Sequence, residues 1–202
     1  MKERETEHRI VLAGVGGQGI LFAGRALARA ALALGQETTL IPSYGAEMRG
    51  GPSMCSVVIA ARPIANPLVD RPTALLAMTR AAWREWGPLV AANGTAVVNA
   101  APETAAELNP RPDVTLLCLP AVRLALAATG QAQPATLVAL GALLGLTGIL
   151  PAEAVAEAAA AGIKKAAAEA NRQALTAGVA YLSSASRWPQ PSTGRHASGE
   201  AR

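Results

Sequence analysis

Two glycine-dense segments, about two dozen residues apart, hold the residues of this chain best suited to chemistry. The first is Gly14-Val15-Gly16-Gly17-Gln18-Gly19, with G-x-G-x-x-G spacing. Between a strand and a helix, such a turn lets the backbone approach a ligand closely. It also points free N–H groups of the helix terminus outward, where the helix dipole stabilises an anion. Gly14, Gly16, Gly17, Gln18 and Gly19 are therefore candidates for holding a phosphate-sized anion, although the same glycines would also serve tight strand–helix packing alone. The second segment is Pro42-Ser43-Tyr44-Gly45-Ala46-Glu47-Met48-Arg49-Gly50-Gly51. In an extended backbone Glu47 and Arg49 point to one side and Met48 to the other. Arg49 can then meet a carboxylate or phosphate, while Glu47 accepts from a donor or orients the guanidinium. Ser43, Tyr44, Gly45, Glu47, Met48, Arg49, Gly50 and Gly51 form the candidate partner or active-site loop. An internal Glu–Arg pair that merely stiffens the loop is the alternative.

Other chemistry is missing from the chain. The two cysteines, Cys55 and Cys118, have no CxxC neighbour, so this chain does not ligate an iron–sulfur cluster alone; each reads as a small buried hydrophobe. His8 and His196 lie at the two ends, far from any Ser or Cys constellation. No paired carboxylates and no Gly-Asp-Gly diphosphate–metal segment are present. No residue is assigned a catalytic or metal-binding role. A nicotinamide site would need an acid at the C-terminal end of the second strand. That strand, read over Thr38–Ile41, runs into Pro42-Ser43-Tyr44-Gly45, and the nearby acid, Glu37, stands at its beginning. Dinucleotide binding is disfavoured.

The elements that must position these segments follow from hydrophobic periodicity. His8–Ala13 reads as a buried strand, and Ile20 to about Leu34 as a helix stopped by Gly35. Met54–Ala60, Ala74–Met78, Thr95–Asn99 and Val114–Leu119 read as further strands, with a helix over Ala81–Ala92. The C-terminal third is helical: Ala121–Ala128, Ala135–Leu146, Pro151–Ala161 and Ile163–Leu182. The expected architecture is α/β: one domain over 1–182 with a mostly parallel, Rossmann-like sheet covered by helices on both faces. Residues 183–202, rich in Ser, Pro and Gly, read as a flexible or partner-ordered tail in which Trp188 is the large apolar residue.

Composition bounds the setting. The chain has 202 residues, 51% hydrophobic and 16% charged, an apolar excess that suits a permanent partner interface. The apolar run over 135–150 is too short and too glycine-broken for a membrane span. The charged opening Lys2–Arg9 is not a secretory signal, so a cytoplasmic location is expected. A net charge of +4 arises from scattered basic residues, three of them (Arg187, Arg195, Arg202) in the tail, which argues against nucleic-acid binding.

The order G-V-G-G-Q-G-I, a helix, P-S-Y-G-A-E-M-R-G-G and then Ser53-Met54-Cys55-Ser56-Val57-Val58-Ile59 resembles the gamma subunit of 2-oxoacid:ferredoxin oxidoreductases. This family acts on pyruvate, 2-oxoglutarate, 2-oxoisovalerate, indolepyruvate or phenylglyoxylate. The resemblance continues through Ile64-Ala65-Asn66-Pro67 and Leu137–Ala142 to the helix carrying Asn171 and Ala174. It departs at Thr136, where the family usually has Asn. The resemblance implies an accessory subunit of a complex that decarboxylates a 2-oxo acid oxidatively to an acyl-CoA. It further implies alpha and beta partners, with a delta chain as an option, that hold thiamine diphosphate, Mg²⁺ and the 4Fe–4S clusters. Electrons leave to ferredoxin or another acceptor, and coenzyme A is the co-substrate that this chain helps to enclose. A stand-alone dinucleotide-binding oxidoreductase and a non-enzymatic interaction domain are the alternatives.

Overall fold

Alternation along the first strand sets the layers. In β1 (His8–Val15), Ile10 and Leu12 enter one hydrophobic core while Val11 and Ala13 enter another, so both faces of the sheet are covered. The computed structural model describes residues 7–44 and 51–184. Six strands stand in the order β2-β3-β1-β4-β5-β6, with β2 at Glu37–Tyr44, β3 at Pro52–Ala60, β4 at Ala74–Ala77, β5 at Thr95–Asn99 and β6 at Thr115–Leu119. The run β1-β4-β5-β6 is parallel. In contrast, β3 inserts between β1 and β2 and is antiparallel to both. The short link between Tyr44 and Pro52 accounts for this, since a parallel pairing needs a crossover of a dozen or more residues.

One expectation is corrected here. The second strand extends to Tyr44, so Pro42, Ser43 and Tyr44 are strand residues paired with Cys55, Met54 and Ser53 rather than the start of a turn. Pro42 is tolerated because β2 is the sheet edge, where strands admit proline.

The larger core lies under α1 (Ile20–Ala33), α4 (Ala135–Thr147), α5 (Ala152–Ala160) and α6 (Lys165–Ser184). The opposite face is covered by α2 (Arg80–Trp86) and a 3₁₀ segment, Pro102–Leu108. The helix expected over 81–92 stops at Trp86 and tightens into a 3₁₀ turn at Gly87–Leu89. Pro88 has no N–H to continue the ladder, and Gly87 lies so close to the Trp83 indole that a side chain would collide with it. The Trp83 indole N–H donates to the Leu108 carbonyl at 2.8 Å, fastening α2 to a 3₁₀ segment that periodicity did not reveal.

Between β6 and α4, α3 (Ala121–Thr129) completes the helical C-terminal third. The helix α6 runs through Ser184 and takes in the first two residues of the expected tail; the remainder, with Trp188, lies outside the described residues. Against α6 packs α4, apolar on every side and almost wholly buried. Glycine makes this approach possible: a Cβ on Gly178 would overlap the Val138 carbonyl, and one on Gly141 the Leu175 carbonyl. Replacing Gly178 with Ala should therefore cost on the order of 1–3 kcal/mol by overpacking, despite the better helix propensity of Ala. Urea unfolding of Gly178→Ala against the exposed-face control Gln173→Ala checks this; equal midpoints would refute the contact.

Candidate functional site

The glycine segment turns sharply between β1 and α1. Gly17 and Gly19 lie at φ +92° and +80°, the left-handed region open to glycine without strain, and Gly19 caps α1. The turn closes on itself through Gln18. Its side-chain oxygen accepts the Val15 N–H at 2.9 Å, and its backbone N–H donates to the Val15 carbonyl at 3.2 Å. Gly14 makes room for that carboxamide, because a Cβ there would strike it. Gly14 and Gln18 thus shape the turn from within. Gly16 is committed as well: its N–H donates to the Gly51 carbonyl at 2.9 Å, joining the two glycine segments directly. The exposed Gly17 and Gly19 are the part of the turn that remains open to a ligand.

Across from the turn stands the N-terminus of α4. Buried Thr136 donates its hydroxyl to the Gln18 carbonyl at 2.6 Å, pinning the helix to the glycine backbone. This is the bond made at the position where the resemblance gives Asn. The two helix N-termini and the first part of α6 enclose a cleft of about 360 Å³, bordered by Gly17, Gly19, Phe22, Pro134, Ile163 and Asn171. No charged side chain lines it among the described residues, so it is a site of backbone dipoles, amides and apolar rim. Asn171 is spent on structure at its nitrogen, which donates to the Ala159 carbonyl at 2.9 Å and ties α6 to α5.

The second segment borders another cleft on the opposite face of the sheet. The chain leaves β1 toward α1 on one side and leaves β4 toward α2 on the other. That divergence opens a crevice of about 460 Å³ at the strand ends, lined by Gly14, Ser43, Met54, Thr79, Glu85 and Trp86 among others. Ser43 is exposed at the end of β2, Tyr44 pairs with Ser53, and buried Gly51 supplies the carbonyl to Gly16. Gly45, Glu47, Met48, Arg49 and Gly50 lie outside the described residues. Glu37 sits at the opposite end of β2 from Tyr44.

Sequence reasoning passed over Asn99. Its Nδ2 donates to the Met78 carbonyl at 3.3 Å and its Oδ1 accepts the Ala121 N–H at 3.0 Å, so one side chain joins the ends of β4 and β5 to the start of α3. An Asn closing a buried strand just before a loop was the available signal. Thr79 likewise caps α2 by accepting the Ala82 N–H at 3.1 Å.

The thiols sit on opposite faces of the sheet. Cys55 lies in the core beneath α1, where Gly24 leaves space for its sulfur, and burial pushes its pKa up to about 12. Cys118 lies in the other core, pushed up to about 11, chiefly by burial. Neither is a nucleophile near neutrality, and the pair does not fit a cluster. Among the described residues no group of three or more His, Cys, Asp or Glu side chains is placed to hold a metal ion. No helix of the described residues is long and apolar enough to cross a membrane. Because raised pKa values keep both thiols protonated, they should resist iodoacetamide at pH 8 in the folded chain and react at once in 6 M guanidinium, about the limit that very stable domains withstand. Rapid labelling of the native protein would contradict this burial.

The family model for pyruvate ferredoxin/flavodoxin oxidoreductase matches residues 9–181, from β1 to the last helix. The chain belongs to this family. The 2-oxoglutarate synthase subunit KorC of Methanocaldococcus jannaschii is 34% identical over 181 residues, 88% of this chain and 96% of that protein. The ketoisovalerate oxidoreductase subunit VorA of Methanothermobacter marburgensis is 34% identical over 144 residues, 71% of this chain. The chain spans only 30% of the length of that VorA subunit. Among solved structures, the gamma subunit of a keto/oxoacid ferredoxin oxidoreductase from Geobacter sulfurreducens superposes with a TM-score of 0.76 at 28% identity, covering 89% of this chain and 98% of that one. A TM-score of 0.76 over 89% of this chain means that the two chains share this fold.

Thr136 gives this family member's site its most direct test. Thr136→Val keeps the shape but leaves the Gln18 carbonyl without its buried donor, which should cost about 1–3 kcal/mol. Thr136→Ser should recover most of the loss. Thermal unfolding of the two variants measures the difference, and equal stability would show that the bond does not hold the turn.

Proposed function

We propose that this chain is the gamma-type accessory subunit of a 2-oxoacid:acceptor oxidoreductase that converts a 2-oxo acid to an acyl-CoA. Its role is assembly and the enclosure of coenzyme A. The single observation that carries the reading is the cleft beside Gly17 and Gly19. Two helix N-termini meet there around an uncharged, amide-lined pocket of about 360 Å³, suited to a phosphate-bearing ligand with an apolar portion. Family membership and full-length similarity to KorC support the same role.

Partner alpha and beta chains supply thiamine diphosphate, Mg²⁺ and the 4Fe–4S clusters, and an electron acceptor such as ferredoxin receives the electrons. Decarboxylation and electron transfer are the chemistry these groups bring when bound. The present chain contributes Gly17 and Gly19 as an open backbone surface. Gln18 and Thr136 hold that surface rigid, and Phe22 and Ile163 keep water from the rim. The Glu47–Arg49 loop, anchored through Gly51 to Gly16, makes directed contacts to a partner chain or to coenzyme A.

Co-expression with the alpha and beta chains should give a stable complex that forms acyl-CoA. In that complex Gly17→Val, which forces a β-branched side chain to φ +92°, should raise the Michaelis constant for coenzyme A while assembly survives. Arg49→Lys, which loses bidentate geometry, should weaken either subunit affinity or coenzyme A binding by on the order of 1–3 kcal/mol. Wild-type values in both variants would reduce both segments to scaffold. A chain that never binds such partners would sink the reading.

A further inference from the structure

The outward face of α1 is narrow and of unusual composition. In this helix of 14 residues, Phe22, Arg25, Arg29, Leu32 and Ala33 are the exposed positions, at i, i+3, i+7, i+10 and i+11, so they form one stripe about 15 Å long. Its two ends are large and apolar: Phe22 is 41% and Leu32 61% exposed. Its middle is cationic, and α1 carries no acid at all. Among the described residues, neither Arg25 nor Arg29 meets a carboxylate. An exposed helix of a self-sufficient domain normally mixes both signs on its outer face.

We infer that the stripe Phe22–Arg25–Arg29–Leu32 is a docking surface for another subunit of the complex, one that presents carboxylates between two apolar contacts. The inference rests on the assembly role proposed above. Pairing of the stripe with its own copy is opposed by charge. Two-fold pairing of antiparallel α1 helices about residue 27 seats Phe22 on Leu32 of the other copy, but it sets Arg25 against Arg29 at both positions, which places four guanidinium groups together with no counter-charge. A different chain carrying Asp or Glu satisfies the same stripe. The surface is also continuous with the cleft, because Phe22 belongs to both. A subunit seated on α1 therefore reaches the rim of the cleft beside the glycine turn and shields it from water.

The test uses the full chain with its purified alpha and beta partners, and reads the dissociation constant by titration. Arg25→Glu/Arg29→Glu should weaken assembly by at least about tenfold, and Arg25→Lys/Arg29→Lys, which keeps the charge, by much less. Binding of the unaltered chain should also weaken as salt rises. Arg84→Glu, an exposed arginine on α2 across the sheet, serves as the surface-charge control and should leave affinity unchanged. Both arginines are exposed, so the variants keep the fold, which the melting temperature verifies. If the unaltered chain binds and the double-Glu variant binds equally well, the docking surface lies elsewhere and the inference is overturned. It is overturned equally if the isolated chain forms a dimer in sedimentation that Leu32→Ser abolishes. If the unaltered chain itself fails to bind, the proposed function fails, and this inference with it.

Discussion

The hydrogen bond from Thr136 to the Gln18 carbonyl is where the separate parts of this molecule become one site. It spans 118 positions of sequence and joins the loop after the first strand to the start of a helix in the C-terminal third. Around it the other bonds of the turn fall into place: Gln18 onto Val15, and Gly16 onto Gly51. A buried carbonyl without its donor is costly, so the geometry of each member constrains the others. The sheet, α1, α4 and the second glycine segment are consequently positioned together. The open backbone of Gly17 and Gly19 is then held at a defined height over the cleft.

That site needs a helix that does not move, and the packing of α4 provides it. A helix apolar on all sides has no solvent face and must be enclosed. Gly141 and Gly178 bring its backbone against α6 more closely than any larger residue would permit, while the sheet covers its other side. The alanine-rich character of the chain serves the same end, since small side chains let helices approach without voids. Backbone contact between α4 and α6 thus adds to the hydrogen bonds of Gln18 and Thr136 in fixing the walls of the uncharged cleft.

The two faces of the sheet divide the work. On the α1 face lie the turn, the cleft and the cationic–apolar stripe; on the α2 face lie the crevice at the strand ends, Trp83 and Trp86. The Gly16–Gly51 bond crosses between them at the end of β1. Each face also holds one of the two buried thiols, Cys55 under α1 and Cys118 under α2.

Local pattern determined much of this protein. Every strand and α-helix was legible from periodicity to within a few residues, except where α2 ended early at Gly87-Pro88. The glycine spacing marked the turn. Those features depend on neighbours in sequence, which is why the chain alone reveals them. Tertiary structure decided what depends on residues far apart. It inserted β3 between β1 and β2, made Pro42 to Tyr44 part of an edge strand, and turned Gln18 inward. It also committed Gly16 to Gly51, and gave Thr136 a partner in the turn. Strand order and hydrogen-bond partners are set by the joint packing of all elements, and no window of sequence contains the carbonyl that a distant hydroxyl will meet.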